Sequence, residues 1–378
     1  MQAQVRKVDE WRRRLSPLTY AESDRIAKRD FSGRAVSGRT HLTGDIAATF
    51  GALARAGARV TVCACNLDST DPAVVEDLRA QGATVYGKSG MSPEEDAHGL
   101  AAVAAGADDV ISDMGGELIV AAVRRGATPK AALEATGSGI TRLLAAGPIP
   151  FPVFNWDDVR LKEGLHNRFH VGATVWPAYE AITAMNLFTR KVAVLGFGPV
   201  GRGVAERARA LGAVVTVIEP DPVRRLEAAH LGLATSDPAE AVASADVVVT
   251  ATGRAGVLGE PLLREVKDGA VLFNCGHAGN EIDIAWLETH GRRQVRPLIA
   301  AYDLPKGTVY LLNRGNLLNL APGLALGADL FDTFGTLMLL SLEWLLDGGA
   351  NGAAPGLQPL PVLLERRVAE ALLARRGQ

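Results

Sequence analysis

The sequence predicts a two-domain α/β protein with a cleft between the domains. Its 378 residues, 48% of them hydrophobic, suffice for two separate cores. Residues 34–160 alternate short apolar runs with amphipathic helical patterns, which is typical of a parallel sheet covered by helices on both faces. A second alternating pattern extends from about Thr174 to Leu320, and two open sheets side by side suggest a cleft.

The first predicted domain covers residues 1–168 and is completed by residues from about 326 to 350. Apolar runs of strand length and amphipathic stretches of helix length alternate along it. Its predicted strands are Arg34–Ser37, Arg59–Ala64, Thr84–Gly87, Asp109–Ser112 and Val153–Asn155, and its predicted helices are Asp45–Ala56, Pro72–Gln81 and Pro93–Ala105.

The second predicted domain covers residues 169–325, and residues 351–378 are predicted to form a linker and a C-terminal helix. The stretch from 348 to 361 is rich in Gly, Ala and Pro, which predicts a loop, and Val362–Arg376 has an amphipathic helical pattern. Strand-like runs of the second domain are Val247–Ala251, Val271–Asn274 and Val309–Leu312.

Composition limits the partners that we expect. The net charge of -2 and the lack of a basic block argue against nucleic acid and anionic membranes, and favour a small-molecule ligand. The apolar segment Thr336–Leu346 is interrupted by Glu343 and is too short to span a bilayer, so we expect a buried helix. Three cysteines with no ligand-type spacing indicate neither a metal site nor a disulfide framework, and we expect a reducing cytoplasm.

A glycine motif organises the second domain. An apolar run from Lys191 leads into Gly196, Gly198 and Gly201 at GxGxxG spacing, with Pro199 and Val200 inside the turn. Such glycines allow a tight turn, let the backbone approach a pyrophosphate, and let the following helix pack on the strand. A second β-branched run ends in Glu219, which can accept both hydroxyls of an adenosine ribose. The motif therefore predicts a Rossmann-type site that favours NAD over NADP, although glycine turns can also serve structure alone.

Two further loops of this domain follow strand-like runs. The sequence TATG (Thr250, Ala251, Thr252, Gly253) follows one, and NCGH (Asn274 to His277) follows another. Their backbone groups and the Asn274 side chain are candidates for holding the nicotinamide and its ribose, and Asn319 is a further candidate.

The first domain places its polar clusters after strands as well. His41 lies between Thr40 and Thr43 at a strand end, where an imidazole can exchange a proton with a leaving group. Lys162, His166 and Asn167 lie where the chain passes between the domains. A lysine beside a cationic nicotinamide would have a lowered proton affinity and could take a proton from a sugar hydroxyl. The alternative for these residues is a solvated hinge with surface charges.

At these residues the sequence resembles the S-adenosylhomocysteine hydrolases, over nearly the whole chain. The motifs that carry the resemblance are THLT (Thr40 to Thr43), CNLDST (Cys65 to Thr70), DMGGE (Asp113 to Glu117), LKEGLHN (Leu161 to Asn167), GFGPVGRG (Gly196 to Gly203), IEPDP (Ile218 to Pro222), TATG, NCGHAGNEID (Asn274 to Asp283) and LLNRGNLLNL (Leu311 to Leu320).

The resemblance implies a tightly bound NAD that oxidises the ribose 3′-hydroxyl, so that the group at C5′ can be eliminated, water can add, and the hydride can return. It implies that His41 is an acid/base near the leaving group and that Lys162 helps deprotonate the oxidised hydroxyl. Asn167 would hold substrate or nicotinamide. The pocket residues implied by the same resemblance are Thr43, Ser69, Thr70, Asp113, Met114, Glu134 and His277.

The sequence departs from the family where the nucleoside would bind. Met114 stands where the family has an aspartate near the leaving group, and His166 replaces a substrate-holding aspartate. Val171 replaces a cysteine near the nicotinamide. Glu134 is either the ribose-binding glutamate or its neighbour, with Ala135 then in the ribose position. The segment LAPGLAL (Leu320 to Leu326) lacks the histidine that the family presents to the nucleoside.

These departures lead to three hypotheses. The first is an NAD-dependent, redox-neutral enzyme that acts on an adenosine-like nucleoside with an altered leaving group, such as a nucleoside dehydratase. The second is adenosylhomocysteinase itself, which cleaves S-adenosylhomocysteine to adenosine and homocysteine. The third is a non-catalytic regulator that binds NAD and a nucleoside. The resemblance also implies a homo-oligomer, a dimer or a tetramer, although the family's C-terminal tail, which reaches into a neighbouring NAD site, has no counterpart up to Gln378.

Overall fold

The computed structural model describes residues 10–44, 46–66, 70–276, 280–321, 328–375 and 377. The chain divides into two compact units, which we call the first unit (Met1–Lys162 with Gly327–Gln378) and the second unit (Glu163–Leu326). Each unit contains a β-sheet with its own hydrophobic core. The predicted two-domain α/β class is confirmed.

The first unit contains a seven-stranded sheet, all of whose neighbouring strands are parallel. Its strands are β1 (Ala35–Thr40), β2 (Arg59–Ala64), β3 (Thr84–Tyr86), β4 (Val110–Asp113), β5 (Ala131–Glu134), β6 (Pro152–Asn155) and β15 (Gly356–Pro359). The strand order is β15-β6-β5-β4-β1-β2-β3. Both faces of the sheet are covered, because its central strands are buried along their whole length.

Local signals explain where several helices of the first unit begin. Asp71 and Ser92 accept hydrogen bonds from the first turns of their helices, and each precedes a proline at the first helical position. The helices are α1 (Pro17–Ile26), α2 (Ile46–Arg55), α3 (Pro72–Ala80), α4 (Pro93–Ala105), α5 (Glu117–Arg124), α6 (Gly137–Ala146), α13 (Ala328–Leu346) and α14 (Val362–Arg375).

The second unit contains an eight-stranded sheet. Its strands are β7 (Lys191–Leu195), β8 (Val214–Ile218), β9 (Ala234–Thr235), β10 (Val247–Thr250), β11 (Val271–Asn274), β12 (Arg293–Arg296), β13 (Ile299–Leu304) and β14 (Gly307–Leu312). The strand order is β12-β13-β14-β11-β10-β7-β8-β9; β13 is antiparallel to both β12 and β14, and the other neighbouring pairs are parallel.

A π-helix, Leu161–Val171, connects the end of the first unit's continuous segment to the second unit. π-Helical turns are rare and occur frequently at functional sites. It continues into α7 (Gly172–Thr183), and the remaining helices of the second unit are α8 (Pro199–Ala210), α9 (Pro222–His230), α10 (Pro238–Ser244), α11 (Glu260–Leu263) and α12 (Ile284–Glu288).

Several parts of the sequence-based assignment differ from the structure, two of them in the first unit. The predicted loop at 348–361 is wrong in part, because Gly356–Pro359 forms β15 and pairs with β6. A proline is compatible with an edge strand, since an edge residue need not donate to the ladder. Residues 117–146 received no predicted element, yet they form α5, β5 and α6. The strand sequence AALE of β5 favours helix, so its pairing with β4 and β6 decides its conformation.

The helix α13 is longer than predicted and packs on α1. Its residue Asp332 is buried, and its carboxylate accepts hydrogen bonds from the backbone N–H groups of Leu18 (3.2 Å) and Thr19 (2.7 Å) in the first turn of α1. The residue therefore acts as a cap for α1 from a distant part of the chain. Among the described helices, none has the length and hydropathy that a bilayer span requires.

We expect Asp332→Ala to lower the free energy of unfolding by about 1–3 kcal/mol, because it leaves two buried N–H groups without acceptors. Urea unfolding measures this change. Asp329→Ala is the matched control, because Asp329 is exposed on the same helix. Equal stabilities of the two variants would contradict the capping role.

Candidate active site and cofactor site

Strand order places a ligand crevice in each sheet. In the first sheet the chain proceeds from β1 to β2 in one direction and from β4 to β5 in the other, so the order reverses between β1 and β4. In the second sheet the order reverses between β7 and β10. Ligands of open parallel sheets bind beyond the carboxyl ends of the strands at such a reversal. Ligands are therefore expected at the loops after β1, β4, β7 and β10.

The end of β1 contacts the loop after β4. Thr40 is buried, and its hydroxyl donates to the sulfur of Met114 at 3.4 Å. His41 and Thr43 are half-buried and follow directly, with the Thr43 N–H bonded to the His41 carbonyl at 2.9 Å. The structure thus brings Met114 to the strand end that carries His41, where the family pattern has a carboxylate.

The loop after β2 contributes Thr70. Its hydroxyl is buried and has no hydrogen-bond partner among the described residues. A buried hydroxyl without a partner is unfavourable, so a bound ligand is a natural partner for it. Ser69 and His277, two other predicted pocket residues, lie outside the described residues.

Asp113 and Glu134 are buried carboxyl groups that shape the loop after β4. Glu134 accepts hydrogen bonds from the N–H groups of Gly115 (3.1 Å), Gly116 (2.8 Å) and Thr136 (2.8 Å), and from the Thr136 hydroxyl (2.7 Å). Asp113 accepts from the N–H of Ile119 at 2.9 Å. Four protein donors occupy the Glu134 carboxylate, which favours the alignment that puts Ala135 in the ribose position.

Burial dominates the electrostatics of these two acids. It raises the pKa of Asp113 to about 7, and it raises the pKa of Glu134 well above its ordinary value, with a contribution from the Asp113 charge. Both effects disfavour the ionised form in a low dielectric. The two acids are register partners in β4 and β5, and the Asp113 charge adds to the burial that disfavours ionisation of Glu134.

Lys162 is the first polar residue of the π-helix. Its ammonium nitrogen lies 3.7 Å from a carboxylate oxygen of Asp157 and 5.9 Å from the ring centre of Phe334. Burial lowers the pKa of Lys162, while the Asp157 charge partly opposes this. The sequence predicts a lowered proton affinity of Lys162 from a neighbouring cofactor charge, whereas in the structure burial alone already lowers its pKa.

His166 and Asn167 follow Lys162 on the same π-helix, within the second unit. His166 is buried, and its ring meets the ring of His170 edge to face at a centroid distance of 5.7 Å. The sequence analysis did not single out His170 or Asp157. A search for charged or aromatic partners within five residues of the predicted lysine and histidine would have found both.

The glycine turn after β7 has the geometry that its sequence predicts. Gly196 has φ 99°, and a Cβ there would lie 2.6 Å from the Ala251 carbonyl oxygen. A Cβ on Gly201 would collide with the Gly196 carbonyl, so α8 can pack on β7 only with glycine at 201. In contrast, a Cβ on Gly198 would meet only an Arg224 guanidinium nitrogen, at 3.8 Å. Open space therefore remains where a pyrophosphate would approach the N-terminus of α8, which begins Pro199-Val200.

Glu219 directly follows β8 and is buried. Its carboxylate accepts from the N–H groups of Phe197 (2.8 Å) in the glycine turn and Asp221 (3.0 Å). One acid therefore joins the turn to the end of β8 and keeps oxygen lone pairs for ribose hydroxyls. Arg224, on α9, is a residue that the sequence analysis missed; its position beside Gly198 faces the phosphate region.

The loops after β10 and β11 are held by a further residue that the sequence analysis missed. Glu281 is fully buried and accepts from the Thr252 N–H (2.9 Å), the Thr252 hydroxyl (2.8 Å) and the Gly253 N–H (2.7 Å). Burial raises the pKa of Glu281. The Asn274 side chain accepts from Thr250 (3.1 Å) and from the Gly276 N–H (2.8 Å).

The residues of the second unit fit a dinucleotide. The glycine cradle leaves room for a pyrophosphate, and Glu219 is placed for a ribose. The amide oxygen of Asn319 is buried and has no partner among the described residues, which suits a nicotinamide amide. Within the described ranges, no group of three His, Cys, Asp or Glu side chains is placed to hold a metal ion.

Fold and site together define a two-domain α/β protein with a Rossmann-type dinucleotide site. Family models match both parts of the chain. The S-adenosyl-L-homocysteine hydrolase model matches residues 14–146, and the model of that enzyme's NAD-binding domain matches residues 176–325.

Relatives match over most of the chain. It is 33% identical to the S-inosyl-L-homocysteine hydrolase of Methanopyrus kandleri, over 98% of this chain and 90% of that protein. It is 33% identical to the adenosylhomocysteinase of Thermotoga maritima, over 97% and 93%, and 35% identical to that of Aeropyrum pernix, over 82% and 77%. The chain belongs to the S-adenosyl-L-homocysteine hydrolase family, as its motifs predict, and its cofactor is NAD.

The glycine turn gives a prediction with an internal control. Gly198→Ala should leave the thermal stability of the apoprotein unchanged, because the added methyl group enters open space, yet it should weaken NAD binding by about tenfold or more, because that space is where the pyrophosphate approaches. Calorimetric titration with NAD and thermal melts of the apoprotein separate the two effects.

Gly201→Ala is the comparison variant. Its methyl group collides with the Gly196 carbonyl, so it should lower both stability and NAD affinity. NAD binding by Gly198→Ala at wild-type affinity would contradict the assignment of the cradle.

Proposed function

We propose that this protein is an NAD-dependent, redox-neutral hydrolase that cleaves a nucleoside thioether of the S-adenosylhomocysteine type to a nucleoside and homocysteine. The observation that carries the proposal is Lys162, whose side chain is only 12% exposed and whose ammonium nitrogen lies 3.7 Å from Asp157, in a chain of this family. The matched relatives named adenosylhomocysteinase and S-inosyl-L-homocysteine hydrolase support the thioether. Their names differ in the base, so the proposal leaves adenine and hypoxanthine as the two candidates.

Held by the glycine turn and Glu219, NAD would supply reversible hydride transfer at a sugar carbon. The chain's own contribution begins with Lys162. Because burial lowers its pKa, a larger fraction of this amine is neutral near pH 7 and can take the proton of the sugar hydroxyl. Asp157, at 3.7 Å, holds the ammonium form in place after the transfer.

His41 is proposed as the second proton-transfer group. It is half-buried at the end of β1, and an imidazole there can donate a proton to a departing thiolate and later accept one from water. Thr43, Ser69 and Thr70 are proposed to line the pocket, and the buried Thr70 hydroxyl supports this for its own position. His166 and Asn167 are proposed to bind substrate or nicotinamide from the π-helix.

The proposed cofactor contacts come from the glycine turn, from Glu219 and from the loops after β10 and β11. Gly196, Gly198, Pro199, Val200 and Gly201 are proposed to hold the pyrophosphate, and Glu219 the adenosine ribose. The TATG loop from Thr250 to Gly253, with Asn274, Gly276 and Asn319, is proposed to hold the nicotinamide half.

Met114 favours a second candidate, in which the same chemistry acts on a nucleoside with another leaving group, such as water. The Met114 thioether lies against the Thr40 hydroxyl and cannot transfer a proton. The residue at this position is therefore changed, while His41, the proton donor that a poor leaving group such as hydroxide needs, is retained. Ala135 in the ribose position would also change how the sugar is held.

Incubation of the purified protein with S-adenosylhomocysteine and with S-inosylhomocysteine distinguishes the candidates. Release of homocysteine, detected with a thiol reagent, supports the hydrolase, and the faster substrate identifies the base. If neither thioether yields thiol while free nucleosides change the NADH absorbance, the second candidate replaces the first.

The Lys162 environment predicts a pH effect. A lysine base acts in its neutral form, so the rate rises with pH as Lys162 loses its proton. Asp157 raises the pKa of Lys162, so Asp157→Asn should lower that pKa further and move the acid limb of the kcat profile to lower pH. Asp158→Asn is the matched control, because Asp158 is exposed and bonded to Asn155. Movement of the limb to higher pH would contradict this role of Lys162.

A further inference from the structure

A buried arginine lies directly before the proposed catalytic loop. The side chain of Arg39 is 4% exposed, and it occupies the penultimate position of β1. Its guanidinium makes a two-point contact with Asp96 on α4, at 2.9 and 3.1 Å, and lies 2.6 Å from Glu117, the first residue of α5. It also donates to the carbonyl of Ala64, the last residue of β2, at 2.8 Å. One side chain thus contacts three elements around the crevice.

The contacts continue to the loop that carries Met114. Glu117 also pairs with Arg142 of α6, at 3.3 Å, and Arg142 donates to the Gly115 carbonyl. The Met114 N–H in turn bonds to the Arg39 carbonyl at 3.0 Å. The Arg39 backbone therefore bonds directly to the loop after β4. Its side chain is connected to the same loop indirectly, through Glu117 and Arg142.

Stability alone does not explain this arrangement. Ion pairs that are buried lose much of their attraction to desolvation, and well-packed apolar residues of similar volume often replace them without loss of stability. Removing only one partner, however, leaves unpaired carboxylates. Asp96 and Glu117 are 22% and 37% exposed, so water can reach both once Arg39 is gone. The contacts of Arg39 with Asp96 and Glu117 then serve to hold α4 and α5 in place beside the end of β1.

We propose that Arg39 is a positioning residue, which fixes the ends of β1 and β4 and so sets the places of His41 and Met114 in the crevice. The expected effect on catalysis rests on the proposed function, whereas the effect on the structure of the two loops does not. The guanidinium does not touch the reacting groups; it acts through the backbone of Thr40 and through the turn at Gly115. A loose loop would lower the rate of proton transfer rather than the affinity for NAD, which the second unit binds.

The test compares Arg39→Met and Arg39→Lys with Arg25→Met. Arg25 is a matched control, because it makes a similar two-point contact with Glu343, at 2.7 and 2.5 Å, between α1 and α13 and away from the crevice loops. The readouts are melting temperature, NAD content, kcat and KM for the substrate that the wild type turns over, and amide hydrogen exchange of residues 40–44 and 113–119.

We expect Arg39→Met to keep its NAD and to lose about tenfold or more in kcat with KM within about threefold, since small displacements of catalytic groups have effects of this size. Exchange should rise in both segments. Arg39→Lys should recover part of kcat, and if Arg39→Met does not fold, Arg39→Lys carries the comparison with wild type. Arg25→Met should change melting temperature without changing kcat or exchange in these segments.

Unchanged exchange in residues 40–44 and 113–119 would overturn the proposal, as would a loss of kcat no larger than that of Arg25→Met. The exchange arm does not depend on the reaction. If the wild type turns over no thioether and no nucleoside, the proposed function fails, while increased exchange in Arg39→Met still supports the positioning role.

Discussion

The close contact between Gly201 and Gly196 is the constraint on which the second unit depends. Only glycine at both positions lets α8 start directly above β7, and this start directs free N–H groups toward the space beside Gly198. Glu219 then ties the turn to β8, and Glu281 ties the loop after β10 to the region after β11. Buried carboxylates hold each neighbouring loop, so the cofactor meets a surface that is already arranged.

The first unit also holds its loops with buried side chains, but these include an arginine as well as two acids. Its crevice loops are held by Asp113, Glu134 and Arg39, all of them buried. Burial favours the neutral forms of the two acids and of Lys162, whereas the Arg39 guanidinium stays charged because carboxylates surround it. The lowered pKa of Lys162 suits the proton transfer that we propose for it, while the Arg39 guanidinium in the same unit keeps a fixed charge.

The sequence predicted the fold where local signals are strong. The helix starts at Pro72 and Pro93 and the strand Arg59–Ala64 agree with the structure, because proline, capping residues and β-branched residues act locally. The strand Ala131–Glu134 was missed, because only its neighbours in the sheet make it a strand. In the candidate site, too, local features could be predicted and contacts between distant residues could not. The glycine cradle follows from spacing, whereas the pair of Arg39 and Asp96 joins residues 57 positions apart, which a single sequence cannot reveal.

The strand β15 has a consequence for how the chain reaches its native state. It completes the edge of the first sheet by pairing with β6, although the entire second unit lies between them in the sequence. During synthesis the second unit, which is continuous, can fold as soon as it emerges, while the edge of β6 stays open until residues 356–359 appear. The connectivity therefore allows the NAD-binding unit to fold first from one continuous segment, whereas the sheet of the first unit is complete only after residues 356–359 have been made.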